Sequence, residues 1–350
     1  MCMRIASSMG VMACSAMAER LAPPRIIDVH AHFVPHDFPV SPSSAAAGRW
    51  PCLCHRSDGS ALISMGKKPF RELDARSWDL AARGEAMALE GIAQQVLSPM
   101  PELLSYWLDA SDTLQLARHM NGAMAGLVER GRGLFRAFAM VPLQDPALAA
   151  AELSRLKADG FNGIEIGSNV NSVLPGDGRF FDFYAEAERL DLAVFVHALH
   201  PIGTDRLADM PDLAPFAAFP LDTALAIASL LRAGVPARFP RLRLGFSHGG
   251  GAVVPVVHRL HKAWTMSEGF GGELPQPPRY YAARFFYDSL VYDPGYLRYL
   301  TREFAPGQFF AGTDFPYAIE QTGLRGFLEA TTDDPEDPVF HAAAERFLGR

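Results

Sequence analysis

Short apolar and β-branched segments alternate with longer amphipathic segments from residue 25 onward. Eight of the short segments have the composition of buried strands, at residues 25–32, 94–100, 134–141, 163–168, 193–198, 242–248, 285–291 and 309–315. Such alternation is typical of a parallel sheet with helices on its outside. Eight is also the number of strands that closes a (β/α)8 TIM barrel. We therefore predict an α/β fold of that class.

The connecting segments support this interpretation. The segment 145–160 has its apolar residues at helical spacing, with Asp145 as a candidate N-cap and Gly160 as its end. A doubly wound sheet would instead carry a glycine-rich phosphate loop after an early strand. The first strand here is followed by Phe33-Val34-Pro35, so that alternative is disfavoured.

Two parts of the chain depart from the barrel pattern. Residues 33–93 are much longer than an ordinary connection, and we expect a small β-element there that caps the barrel mouth. Residues 1–24 are expected to form a flexible extension that precedes a barrel domain over 25–350. The apolar stretch 5–18 is too short and too polar to span a bilayer. A signal peptide or a lipoprotein-type Cys14 is the alternative.

Composition narrows the function classes. Hydrophobic residues make up 49% of the chain and charged residues 20%, which supports a large core. The net charge of −7 argues against a nucleic-acid-binding protein, and we expect no membrane partner either. All four cysteines lie within the first 54 residues, which favours a reducing, cytoplasmic location over a disulfide-stapled fold.

Metal-binding and acid–base side chains lie at the ends of the predicted strands, where barrel enzymes place their catalytic groups. These residues are His30, His32, His197, His248 and Asp314. His30 and His32 are two residues apart on one strand, so both rings point to the same face. Three histidines and one aspartate suit Zn²⁺. One such histidine alone is commonly a core residue, but the whole set predicts a metal site.

Four motifs carry a resemblance to a known family: IIDVHAHF (26–33), VFVHA (194–198), GFSHGGG (245–251) and AGTDFP (311–316). They resemble the signatures of the amidohydrolase superfamily, and more narrowly of its 2-amino-3-carboxymuconate-6-semialdehyde decarboxylase group. The order and spacing of further segments agree with that group, namely ISMGKKPFR (63–71), MVPLQDP (140–146), IEIGSN (164–169) and RFFYDSLVYDPG (284–295). The resemblance implies a metal-dependent barrel of the hydrolase type.

The resemblance also implies roles for single residues. It makes His30, His32, His197 and Asp314 the ligands of one divalent metal, expected to be Zn²⁺. His248 is implied as the proton-transferring catalytic residue, together with Asp314 as a catalytic group. Arg71 matches an arginine that holds a substrate carboxylate, and Arg259 matches one that reaches into a neighbouring subunit. A homodimer that acts on a small-molecule carboxylate is therefore expected.

Other residues of the sequence refine this picture. Superfamily members with two metals usually bridge them by a lysine at the end of strand four, and this strand contains none, so we expect a single metal. Glu165 in that strand is interpreted as structural, and Asp288 as polar support for the site. The sequence departs from the decarboxylase pattern after Arg71 and after His197. His200 is either a substrate contact or a surface residue.

The leading functional hypothesis is a non-oxidative, metal-dependent decarboxylase of a small unsaturated or aromatic carboxylic acid. The alternative is a hydrolase or hydratase that uses the same site on an amide, a lactone or a carbon–carbon double bond. A third hypothesis, a non-catalytic barrel, conflicts with the intact set of ligands and His248. Cys52-Leu53-Cys54-His55 has no partner motif, so a second metal site is not expected there.

Overall fold

The computed structural model of the chain describes residues 26–333 and 338–349. The expected extension at residues 1–24 lies outside the described residues. The strands in chain order are β1 (Ile26–Phe33), β2 (Pro51–His55), β3 (Ala61–Met65), β4 (Lys68–Leu73), β5 (Ile92–Pro99), β6 (Phe135–Ala139), β7 (Gly163–Gly167), β8 (Ala193–His197), β9 (Leu244–Phe246), β10 (Phe286–Asp288) and β11 (Phe309–Phe310).

Helices connect these strands. In chain order they are α1 (Ser44–Ala47), α2 (Leu80–Glu90), α3 (Ala110–Arg130), α4 (Pro146–Ala158), α5 (Phe181–Arg189), α6 (Phe219–Arg232), α7 (Val235–Arg238), α8 (Val253–Met266), α9 (Glu268–Gly271), α10 (Pro278–Ala282), α11 (Pro294–Tyr299), α12 (Leu324–Glu329) and α13 (Val339–Phe347). As predicted, Asp145 caps α4, and its side chain accepts a hydrogen bond from the Leu148 amide at 3.0 Å.

Eight strands form the predicted TIM barrel. They are paired in the order β1, β5, β6, β7, β8, β9, β10, β11, and every pairing is parallel. The ring closes beyond β11, where Val29 N donates to Ala311 O at 2.8 Å and His32 N donates to Phe315 O at 2.7 Å. The predicted fold class is confirmed.

Six of the eight barrel strands are shorter than the sequence predicts, and the last three differ most. β9, β10 and β11 end well before the predicted ends at residues 248, 291 and 315. Within the ends predicted for β9 and β11 the backbone turns, because His248 has φ of 58° and Asp314 has φ of 65°. Such angles belong to the left-handed region and cannot continue a strand. The chain therefore turns at the residues that carry the candidate chemistry.

The C-terminal helix closes the end of the barrel opposite the candidate site. The Phe347 ring of α13 packs against the rings of Phe138, Phe286 and Phe310, with centroid distances of 5.8, 5.2 and 5.0 Å. Gly245 in β9 makes room for it, because a Cβ atom there would lie 2.5 Å from the Phe347 ring. This aromatic cluster fills the barrel interior below the site.

The segment after β1 contains an antiparallel sheet in the order β2, β3, β4. Helix α2 follows it and packs against β5 as an ordinary barrel helix. Asp79 caps α2, since its side chain accepts hydrogen bonds from the amides of Ala81 and Ala82 at 2.9 Å. The domain boundaries at residues 33 and 93 stay a prediction.

One helical stretch, residues 211–232, has the length and mean hydropathy of a bilayer-spanning helix. Its second half is α6, which packs against α8 on the outside of the barrel and buries Ile227, Leu230 and Leu231. Core helices of water-soluble barrels have the same composition, so this stretch is weak support for a membrane span.

Candidate metal centre

Two histidines of β1 point into the barrel. His30 Nδ1 donates to Asp288 Oδ2 at 2.6 Å, and His32 Nδ1 donates to the Pro99 carbonyl oxygen at 3.1 Å. A carbonyl oxygen only accepts hydrogen bonds, so the His32 ring carries its proton on Nδ1 and a lone pair on Nε2. Burial lowers the pKa of His30, but hydrogen bonds with Asp288 and Asp314 outweigh this effect and raise the pKa to about 10, so a metal that binds Nε2 has to displace a proton there. Both Nε2 atoms face the barrel axis side by side, 3.1 Å apart.

His197 and Asp314 complete the group. His197 ends β8, and its Nδ1 donates to the Ala198 carbonyl oxygen at 2.8 Å. Its Nε2 is buried and has no hydrogen-bond partner among the described residues. Asp314 Oδ1 lies 2.8 Å from His32 Nε2, 3.3 Å from His30 Nε2 and 4.0 Å from His197 Nε2.

This geometry fits a divalent metal. One ligand atom from each of the four buried residues lies within 4.8 Å of the other three. Three of these atoms are imidazole nitrogens and one is a carboxylate oxygen, and with lone pairs on all four they form a donor set that a divalent cation prefers. We call the four residues, His30, His32, His197 and Asp314, the metal cradle.

The electrostatics of the cradle agree with this interpretation. Burial lowers the pKa of His32 and holds the pKa of His197 well below its usual value, so both rings are neutral ligands. Burial raises the pKa of Asp314, but the adjacent imidazoles of His30 and His32 outweigh this effect and hold that pKa well below its usual range. The carboxyl group is therefore ionised, as a metal ligand must be.

The cradle also depends on a close backbone approach. A Cβ atom at Gly312 would lie 2.8 Å from Asp288 Cβ and 2.9 Å from His30 Cβ. Only glycine lets the strand end before Asp314 pass so close to these two residues. The glycine of the AGTDFP motif thus has a packing role that its sequence context alone does not show.

His248 lies beside the cradle and outside it. Its ring centroid is 5.1 Å from that of His197 and 5.6 Å from that of His30. Ser247 Oγ lies 3.1 Å from His248 Nδ1. Burial, followed by the nearby His30 charge, lowers the pKa of His248 to about 4, so the imidazole is neutral at pH 7. The following Gly249 also has a positive φ, of 61°, and turns the chain sharply away.

Asp288, predicted as polar support, ties the cradle to this turn. Besides His30, its carboxylate accepts hydrogen bonds from the amides of His248 at 2.9 Å, Gly249 at 2.7 Å and Leu290 at 3.1 Å. One buried carboxylate thus fixes both a candidate ligand and the backbone that carries His248.

A second buried network below the cradle was not predicted. Asp28 accepts hydrogen bonds from Thr313 Oγ1 at 2.7 Å and Gln95 Nε2 at 2.8 Å. Arg83 donates to Gln95 Oε1 and to the His32 carbonyl oxygen, both at 2.5 Å. Burial raises the pKa of Asp28 to about 6. Asp28 and Thr313 stand inside the recognised motifs, but nothing in the sequence pairs Arg83 with them.

A cavity of about 770 Å³ opens above the cradle. His32, His197, His248 and Asp314 line its floor, and Arg71 of β4 lines its wall. The structure thus brings Arg71 to the candidate site as the sequence expects.

Two residues near Arg71 were missed by the sequence analysis. The Arg71 guanidinium lies 4.3 Å from the centroid of the Tyr317 ring, which stacks on His32 with centroids 5.1 Å apart. Its Nη2 lies 3.5 Å from Glu102 Oε1. Tyr317 directly follows the AGTDFP motif, and this position beside a recognised motif could have identified Tyr317 from the sequence.

Three other residues named from the sequence do not belong to the cradle. Arg259 is exposed on α8 and does not line the cavity of its own chain. Glu165 is buried in β7 outside the four converging residues, and burial raises its pKa to about 8. His200 is exposed and packs against Trp107, with ring centroids 5.0 Å apart, beside a second cavity of about 360 Å³.

The described residues contain no second group of histidine, cysteine and acidic side chains that could hold a metal. Cys52 and Cys54 are free and exposed on β2. The neighbouring His55 instead stacks on His36, with ring centroids 4.2 Å apart.

Comparison with known protein families establishes the family to which the chain belongs. The model of the family described as Amidohydrolase matches residues 27–350. The chain belongs to the amidohydrolase family. It is also similar to the 2-amino-3-carboxymuconate-6-semialdehyde decarboxylase of Dictyostelium discoideum, with 32% identity over 334 residues, which cover 92% of this chain and 91% of that protein. The similarity to this curated protein confirms the predicted relationship to decarboxylases.

Two solved structures share the barrel fold of the chain. The 5-carboxyvanillate decarboxylase of Sphingomonas paucimobilis superposes with a TM-score of 0.78 at 24% identity, over 93% of this amidohydrolase and 98% of that chain. A dihydroxybenzoic acid decarboxylase from a Polaromonas species, solved with manganese and the inhibitor 2-nitroresorcinol, superposes with a TM-score of 0.72 at 19% identity, over 93% and 97%. These structures confirm the predicted barrel fold.

Proposed function

We propose that this amidohydrolase is a metal-dependent, non-oxidative decarboxylase of a small aromatic or unsaturated carboxylic acid. The observation that carries the proposal is one cavity that joins the metal cradle, a neutral histidine outside it and an arginine on its wall. These are the parts that the reaction needs, namely a cation, a proton-transferring group and a carboxylate anchor. The similarity to a curated decarboxylase over nine-tenths of the chain supports the choice of reaction.

In this reaction the bond between carbon and the carboxylate breaks, its electron pair stays on the carbon, and a proton takes the place of the departing CO₂. His30, His32, His197 and Asp314 would hold a divalent cation, which would supply Lewis-acid stabilisation of the negative charge that develops on the substrate. Asp288 and the Pro99 carbonyl keep the histidine rings in the ligating orientation.

Arg71 binds the substrate through its guanidinium, whose planar fork suits a carboxylate. Its position over the Tyr317 ring holds it at the cavity wall. His248 is the proton-transferring group, since it is the imidazole that lines the cavity without belonging to the cradle. A neutral imidazole can take a proton from water and pass it to the substrate carbon. Asp314 takes part as ligand and as an ionised group beside the reacting atoms.

Three finer points extend this proposal. Zinc is the proposed metal, because three imidazoles and one carboxylate form a common zinc site, while manganese occupies the related Polaromonas enzyme. A homodimer is proposed, in which Arg259 of each subunit completes the other subunit's cavity. A cytoplasmic location is proposed from the cysteine distribution along the sequence.

The proposal is tested by loading the protein with Zn²⁺ or Mn²⁺ and offering a panel of aromatic and unsaturated carboxylic acids. CO₂ release and the loss of ultraviolet absorbance are followed in the same samples. We expect both signals for at least one acid, and neither after chelation of the metal. Absorbance loss without CO₂ would instead establish the hydratase or hydrolase alternative.

A further inference from the structure

The buried network below the cradle lies where the barrel closes. β1 meets the chain after β11 in isolated bridges, such as that of Asp28 with Ala311, and not in a continuous ladder. We call the contact between β1 and residues 311–315 the barrel seam. Three of the four residues of the metal cradle lie on this seam, while His197 lies on β8. A strand contact without a continuous ladder therefore carries most of the candidate ligands.

The Asp28 carboxylate holds both sides of the seam. Its Oδ1 accepts hydrogen bonds from the amides of His30 at 3.2 Å and of Thr313 at 3.1 Å. Its Oδ2 accepts hydrogen bonds from Thr313 Oγ1 at 2.7 Å and from Gln95 Nε2 at 2.8 Å. His30 is a candidate ligand and Thr313 directly precedes another, Asp314. One carboxylate thus fixes the backbone beside two candidate ligands.

The Arg83 guanidinium holds β1 at the other end of the network. It donates to the His32 carbonyl oxygen and to Gln95 Oε1, both at 2.5 Å. Its Nε donates to the Arg76 carbonyl oxygen at 3.1 Å, and its centre lies 4.8 Å from the centroid of the Phe315 ring across the seam. Burial lowers the pKa of Arg83 to about 9, so the group keeps its charge at pH 7.

The Gln95 side chain joins the two charged groups. A guanidinium only donates hydrogen bonds and a carboxylate only accepts them, so a carboxamide can link the two in one orientation only. Gln95 has that orientation, with Oε1 towards Arg83 and Nε2 towards Asp28. All three side chains are fully buried. They form a continuous link from the His32 carbonyl group across the seam to Thr313.

Stability alone does not account for this arrangement. Burial of two opposite charges costs desolvation free energy, and replacement of a buried ion pair by apolar side chains is often neutral or stabilising. Apolar side chains could fill the same space, but they could not hold the backbone groups beside the candidate ligands. Groups that orient the ligands of a metal commonly change metal affinity about 10- to 100-fold when they are replaced.

We propose that Arg83 is a positioning residue of the metal centre. Through Gln95 and Asp28 it holds the barrel seam, and the seam sets the geometry of the three cradle residues that lie on it. Arg83 is not among the residues that line the cavity, so it acts through the backbone and not on the substrate. This inference rests on the metal site of the proposed function and is independent of the reaction.

Titration with Co²⁺ gives the test a readout besides activity, because the visible absorption of this ion depends on the number and geometry of its ligands. The metal-free native protein and its variants are titrated against a competing chelator, and circular dichroism establishes that each variant is folded. Arg83→Lys keeps the charge but replaces the planar fork by an ammonium group, which cannot donate in the same directions. Gln95→Glu keeps the shape of the side chain but removes the donor to Asp28.

Both variants should bind Co²⁺ about 10- to 100-fold more weakly than the native protein and should change its absorption spectrum. The control is Arg136→Lys. Arg136 is also a buried arginine, and it pairs with Glu345 of α13 at 2.9 Å, at the opposite end of the barrel. This variant should lose thermal stability but keep the native Co²⁺ affinity and spectrum, which separates a positioning role from a general loss of stability.

Native Co²⁺ affinity and spectrum in folded Arg83→Lys and Gln95→Glu would overturn the positioning role, and so would an equal change in Arg136→Lys. If Arg83→Lys does not fold, Gln95→Glu decides alone. Failure of the proposed function gives a different result. The expected Co²⁺ changes without CO₂ release from any acid would reject decarboxylation and keep the role of Arg83, whereas CO₂ release with unchanged Co²⁺ spectra in the variants would do the reverse.

Discussion

Replacing Asp288 by asparagine tests how the cradle is held. The carboxylate accepts four hydrogen bonds, from His30 Nδ1 and from the amides of His248, Gly249 and Leu290. Asparagine has nearly the same shape but only one acceptor oxygen, and its NH₂ group donates. Two of the four buried donors would then face another donor.

The expected magnitudes follow from this count. An unsatisfied buried donor costs about 1–3 kcal/mol, so two should lower the free energy of unfolding by about 2–6 kcal/mol. Residues that orient a metal-bound histidine typically change metal affinity about 10- to 100-fold. Zinc affinity should fall by such a factor, because His30 is no longer held in its ligating orientation and a negative charge near the cation is removed.

The assay is competition for Zn²⁺ against a chromophoric chelator, with thermal unfolding measured in parallel to establish that the variant is folded. Glu152→Gln is the matched control, because Glu152 is a buried carboxylate on α4 that binds Arg118 and Arg155, each at 2.7 Å, away from the cavity. It should lose stability without losing zinc affinity. A folded Asp288→Asn protein with the zinc affinity of the native chain would refute the reasoning.

Three further predictions concern the same structure. His248→Ala should retain the metal while turnover falls about 10²- to 10⁴-fold, and a metal analysis showing an empty site would contradict its assignment outside the cradle. Arg71→Ala and Arg259→Ala should each be nearly inactive with metal bound, whereas a mixture of the two variants that exchanges subunits should contain about a quarter intact sites. Subunit exchange without recovery of activity would exclude a site shared between subunits. Phe347→Ala should lower the free energy of unfolding, measured by denaturant titration, by about 3–5 kcal/mol. Leu89→Ala, at an 89% exposed position, should change it little, and equal effects of the two substitutions would contradict the packing argument.

The candidate cradle could be predicted because its signals are local. His30 and His32 show the two-residue period of a strand, and His197 ends a segment with the composition of a buried strand. Because all strands of a parallel barrel end at one rim, side chains at the strand ends are expected to lie close together. The buried cluster of these residues with Asp314 has the arrangement that this reasoning expects.

The remaining parts depend on packing between distant segments. Arg83 reaches the His32 carbonyl across 51 residues of sequence and Gln95 across 12. Phe347 fills a barrel whose first strand begins more than 300 residues earlier. No local pattern specifies such contacts. The pairing of Arg71 with Glu102 was missed for the same reason, because only the folded chain brings the segment after β5 opposite Arg71.

The most direct test of the central claim is a titration of the metal-free protein with Zn²⁺ in the presence of an accepted acid labelled with ¹³C in its carboxyl group. Metal content and released ¹³CO₂ are measured at each point. We predict that ¹³CO₂ formation equals product formation and rises linearly until one metal is bound per chain. Product that retains the label, activity in the metal-free protein, or a requirement for two metals per chain would contradict the account.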